Sequence, residues 1–167
     1  MPRIPALLLL TALMSGIALA GKPHVHGAGT LDVVVEGERL TIMLEMPADA
    51  ALGYERAPRT AAEKAAAEAM MAALRDGANL FRPAPEAACV LTGVQVADPF
   101  AGTRAGGDHA DVDANYEFRC SRPAALKSIE TTLFARFKRL YRLDVQRAGP
   151  AGQGSARLAP KDPVLRW

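Results

Sequence analysis

The chain has 167 residues with 20 Lys and Arg against 18 Asp and Glu, a formal charge of +2 that falls to +1 if Arg3 is removed with a leader peptide. Such a balance argues against nucleic acid and against an anionic membrane surface as partners, so any functional signal has to come from a local site. Half of the residues are hydrophobic, enough for one compact domain of this length.

The first 20 residues carry Arg3, an apolar run from Ile4 to Leu19, and the small-residue signal Ala18-Leu19-Ala20. This pattern predicts a cleaved secretory signal peptide over 1–20 and a mature domain over 21–167. Pro5, Thr11, Ser15 and Gly16 interrupt the run, which is marginal for a bilayer span, and no Cys follows the cut to take a lipid. The mature form is therefore expected to have no membrane span. Its opening, Gly21-Lys22-Pro23-His24-Val25-His26-Gly27, holds two of the chain's three histidines. In an extended segment His24 and His26 share one side. An amino-terminal copper clamp does not fit, because Pro23 has no amide proton and His24 would stand fourth. A solvated tail is the plain alternative.

A hairpin follows. Leu31, Val33 and Val35 alternate with Asp32, Val34 and Glu36, and Leu40, Ile42, Leu44 and Met46 with Thr41, Met43 and Glu45, with Glu36-Gly37-Glu38 as the turn. Pro47 ends the second strand, and Asp49 to Pro58 reads as a loop around Gly53-Tyr54-Glu55-Arg56. Thr60 with Glu63 makes a capping box for an alanine-rich helix over about 60–76, with Gly77 as its stop. Ala62, Ala66, Ala69, Met70 and Ala73 are the expected close-packing face. Ala88 to Val96 alternates as a strand, with Val90, Thr92, Val94 and Val96 on one side. Asp108 to Cys120 runs from a polar loop into a strand. Val112, Ala114, Tyr116, Phe118 and Cys120 lie on one face, and Asp111, Asp113, Asn115, Glu117 and Arg119 on the other. Ser128 to Phe137 and Arg139 to Arg147 read as strands, Ser155 to Ala159 as a further one, and Val164-Leu165 as a short terminal one. Many strands with one main helix predict a single α+β domain with a mostly antiparallel sheet.

The two cysteines, Cys89 and Cys120, suggest a disulfide in an exported chain. A thiolate metal pair is the alternative, though the long spacing lacks the C-x-x-C form. No nucleophile elbow, H-E-x-x-H, phosphate loop or dinucleotide fingerprint occurs, so no enzymatic chemistry is expected. Metal binding is the one chemistry with several supporting features. His109 shares the parity of Asp111 and Asp113, so an imidazole and carboxylates would project from one side of an extended segment. An acidic solvated strand face is the competing reading. Imidazole with carboxylate suits Zn2+, and Cu2+ or Ni2+ would also bind such donors.

The order of features resembles the ZrgA family of zinc-regulated periplasmic proteins of Gram-negative bacteria. The matching stretches are His24-Val25-His26-Gly27, Met46-Pro47, Gly53-Tyr54-Glu55-Arg56 before the alanine-rich helix, Leu80-Phe81, Ala88-Cys89, Tyr116-Glu117-Phe118-Arg119-Cys120, Leu133-Phe134-Ala135-Arg136-Phe137 and Gly152-Gln153. The resemblance implies periplasmic zinc binding in support of zinc acquisition or homeostasis, with a zinc ABC-transporter binding protein as a partner. Family members commonly carry a histidine- and acid-rich loop before the Y-x-F-x-C strand. Here that loop, Asp98 to Asp113, holds only His109, which argues against storage at many sites. The resemblance leaves His24, His26, His109 and Asp111 as the expected ligands of one zinc, with Asp108 and Asp113 in reserve. An interaction or adaptor domain with a degenerate metal site is the second reading.

Overall fold

The computed structural model describes residues 25–101 and 110–167. The predicted signal peptide, His24, Asp108 and His109 lie outside the described residues. Strands β1 (Ala28–Glu36) and β2 (Arg39–Pro47) form the expected hairpin, with Gly37 at φ 59° in its turn. Helix α1 (Asp49–Leu52) is a single turn, and α2 (Ala61–Arg75) is the main helix. A second single turn, α3 (Gly77–Leu80), leads into β3 (Phe81–Pro83). Then come β4 (Cys89–Val96), β5 (Asp111–Cys120), β6 (Ser128–Thr131), the turn α4 (Leu133–Arg136), β7 (Arg142–Gly149), β8 (Gly152–Leu158) and β9 (Val164–Arg166).

Six strands build one sheet in the order β4-β5-β2-β1-β7-β8, and β3-β6-β9 build a smaller one. Every pairing is antiparallel except β1 with β7. The fold is thus α+β and mostly antiparallel, as the alternation predicts. One face of the large sheet carries Leu31, Val33, Leu40, Ile42, Leu44, Val112, Tyr116, Phe118, Leu143 and Val145 into a single core. From the other side Met70 and Leu74 of α2, Phe81 of β3 and Leu133 of α4 complete it. Fully burying one such side chain contributes about 1.5–3 kcal/mol, so this face fixes the strand register.

Several expectations are corrected. Asp49 to Pro58 is not all loop, because Ala48 and Asp49 start α1 and Gly53, at φ 83°, ends it. One turn is too short to show a period. Ala62, Ala66 and Ala69 of α2 are exposed; the buried face is Ala67, Met70, Met71, Ala73 and Leu74. In an alanine-rich helix the alanines say little about direction, and the larger side chains decide it. Gly77 opens α3 rather than stopping α2; a Cβ there would stand 2.5 Å from the Tyr116 ring, so the glycine admits that ring. In β4 a bulge between Leu91 and Gly93 shifts the phase, leaving Val90 66% exposed while Val94 and Val96 turn toward the core. The stretch from Ser128 to Phe137 splits into β6 and α4, where the Thr131 hydroxyl accepts from the Leu133 amide. The next strand starts at Arg142, not Arg139, and β8 begins at Gly152, ahead of the expected Ser155.

Cys89 and Cys120 form the disulfide, joining directly opposed residues of β4 and β5. Their Cα atoms are 3.8 Å apart, nearer than the separation usual for disulfides.

Candidate metal site

The strand order brings three chain segments to one end of the large sheet. Strand β2 lies between β1 and β5, with Thr30 paired to Glu45 on one side and Asp111 paired to Pro47 on the other. The Ala48 amide then donates to the Ala110 carbonyl, so the chain entering β5 is held beside the start of α1. Strand β2 thus stands between β1 and β5.

His26 precedes β1. The Ala28 amide donates to the Val25 carbonyl and the Tyr141 amide to the Gly27 carbonyl, which fixes the turn that carries the imidazole. Gly27 has φ 69°, and a Cβ there would lie 2.6 Å from the Arg139 carbonyl, so this turn requires glycine. Asp49 is in the first turn of α1. His26 Nδ1–H donates to Asp49 Oδ2 at 2.8 Å, and the same nitrogen is 3.4 Å from Glu55 Oε1. The imidazole is 75% exposed while the Asp49 and Glu55 side chains are 18% and 7% exposed, so two carboxylates form the floor and the histidine the rim.

The loop that carries Glu55 is tied to the start of α2. Tyr54 OH donates to the Glu63 carbonyl at 3.1 Å, and Arg56 donates two bonds, of 3.0 and 2.6 Å, to the Glu63 carboxylate. That carboxylate also accepts from the Arg59 and Thr60 amides, while the Glu63 amide donates to Thr60 Oγ1, which completes the capping box. The Arg56 fork first, and then the two amides, hold the Glu63 carboxyl down at about 2. The same bond to Glu63 raises Arg56 further, and burial raises the Tyr54 phenol.

His26, Asp49 and Glu55 each offer a ligand atom, all within 4.8 Å of one another. Edges of a tetrahedral zinc site built from nitrogen and oxygen donors are about 3.3–3.5 Å, so the spacing admits one ion with small side-chain adjustments. Two carboxylates offset the charge of a divalent cation, and an imidazole adds the borderline donor that zinc favours. A family model described as ZrgA family zinc uptake protein matches residues 23–167. The chain belongs to the ZrgA family. No curated protein matches it. The match takes in the ZrgA-like His24-Val25-His26-Gly27 opening and runs to the last residue.

Of the ligands expected from the sequence, His26 stands in this group. Asp111 opens β5 opposite Pro47 and is not one of the three, and His24 and His109 lie outside the described residues. Asp113, a reserve, sits opposite Glu45 on the outward face of β5. Sequence reasoning missed Asp49 and Glu55 as donors. Their signal was position: Glu55 stands inside the Gly53-Tyr54-Glu55-Arg56 stretch that carries the family resemblance, and Asp49 follows Met46-Pro47 by two residues. No helix among the described residues is long and apolar enough to cross a membrane.

Proposed function

We propose that this ZrgA protein is exported to the periplasm through its cleaved leader and there binds one zinc ion, without catalysis, in support of zinc acquisition. His26, Asp49 and Glu55 are the core of the site. His24, His109 and Asp111 are the further donors that the sequence offers for the remaining position. A zinc ABC-transporter binding protein is the partner to which the ion passes. The observation that carries this reading is the convergence of one imidazole and two carboxylates within 4.8 Å, in a chain of a zinc uptake family. The exposed histidine at the rim suits exchange, since the ion is cargo and must leave. The Cys89–Cys120 disulfide supports an oxidising compartment.

Zinc held by His26 Nδ1 would take the place of the hydrogen bond to Asp49 Oδ2, with the ring proton carried on Nε2. The test is a zinc titration of purified, tag-free protein with copper and nickel in competition. One zinc per chain, lost in His26→Ala, is the expected result. Absence of zinc binding, or binding indifferent to His26, would remove the reading.

A further inference from the structure

The Glu55 carboxylate is 7% exposed, yet it belongs to an irregular loop with no strand or helix of its own. A metal ligand on such a loop binds well only if something else holds the loop in place. Both chain neighbours of Glu55 are bound to the same residue. Tyr54 OH donates to the Glu63 carbonyl, and the Arg56 guanidinium forks onto the Glu63 carboxylate. The Arg56 guanidinium also lies 4.9 Å over the Tyr54 ring, which joins the two anchors to each other. Glu63 is itself fixed by the α2 capping box. The residues on either side of Glu55 thus turn to the helix, and the one between them meets His26.

We propose that Arg56 and Glu63 are positioning residues for the metal site: they touch no metal, and they hold Glu55 against His26 and Asp49. This rests on Glu55 being a zinc ligand. It also assigns the first turn of α2 a second role beside starting the helix. Lysine cannot replace Arg56, because an ammonium has no planar fork for the two carboxylate oxygens.

The experiment measures zinc affinity by competition with a chromophoric chelator, and thermal stability in parallel without metal. Arg56→Ala and Glu63→Gln each weaken zinc binding about tenfold, the low end of what outer partners contribute at metal sites. Arg56→Lys recovers little of that loss. Thr60→Ala, which removes the hydroxyl cap and leaves the fork, lowers stability but changes zinc affinity less than about twofold. The deciding arm is the Glu55→Ala background. There Arg56→Ala has no further effect on zinc affinity, because the group it positions is gone. Unchanged affinity in Arg56→Ala overturns the proposal, as does an equal loss in both backgrounds. If Arg56→Ala lowers stability severely, Glu63→Gln gives the same comparison. A Glu55→Ala variant that binds zinc as the wild type does would instead show that Glu55 is no ligand, and the error would then lie in the site itself.

Discussion

Replacing Tyr116 by Phe removes one hydroxyl from the middle of the core. Tyr116 is fully buried, and its OH donates to the Leu74 carbonyl at 2.9 Å. Leu74 is in the last turn of α2, where carbonyls have no partner within the helix. The phenol therefore closes the helix end onto the sheet, and burial raises its pKa so that the donor proton stays on. The ring itself packs edge-on against Phe81 at 4.9 Å between centroids, and phenylalanine keeps that contact. What is lost is one hydrogen bond, leaving a buried carbonyl to bear its desolvation, which costs about 1–3 kcal/mol. With about 2 kcal/mol as the central value, Tm should fall by about 4–8 °C for a domain of this size. Urea denaturation followed by circular dichroism should give a lower midpoint with the same slope. Zinc affinity should be unchanged, since the far end of α2 holds the Glu55 loop. A loss below about 0.5 kcal/mol would refute the claim that this bond fastens the helix.

Three further outcomes are expected. Replacing Cys89 and Cys120 together by Ala opens a cross-link between residues 31 apart in sequence and should cost about 3–4 kcal/mol by the chain-entropy estimate, measured as a shift of the urea midpoint. The Glu63 carboxyl is depressed from 4.5 to about 2, so its contribution is present in full above the unfolded value and lost as pH falls through that interval. The stability gap between wild type and Glu63→Gln, followed by denaturation across pH, should be open at neutral pH and closed at about pH 2; a gap that does not vary with pH would contradict this. Chelation should leave the fold intact, because the sheet and the disulfide hold it. Adding zinc at about 100 times its Kd should then raise stability by about 2.7 kcal/mol, read as an increase in Tm.

The parts of this fold that the sequence displays are those where burial acts residue by residue. The alternation of Leu40, Ile42, Leu44 and Met46, and of Val112, Ala114, Tyr116 and Phe118, appears unchanged as buried faces of β2 and β5. The Thr60–Glu63 capping box is local chemistry and is found as expected. What stays hidden depends on contacts between distant segments. The bulge in β4 changes which of Val90 and Val94 faces inward, and only the pairing with β5 sets it. Single turns such as α1 and α4 are shorter than the window in which a helical period can be seen. The parallel pairing of β1 with β7 brings Tyr141 to Gly27 and so fixes the turn at His26, across more than a hundred residues of chain. The candidate site follows the same rule. His26 was legible because histidine is scarce here, whereas Asp49 and Glu55 are ordinary acids until the ends of β1 and β2 bring them together.

The most direct test of the zinc site is a calorimetric titration of wild type, the Asp49→Asn/Glu55→Gln double variant and His109→Ala at neutral pH. One zinc per wild-type chain is expected, with binding weakened at least about a hundredfold when both floor carboxylates are neutralised while the circular dichroism spectrum is unchanged. His109→Ala should weaken binding less if that histidine fills the remaining position. Zinc bound by the double variant as tightly as by the wild type would contradict the account, and would place the ion away from His26, Asp49 and Glu55.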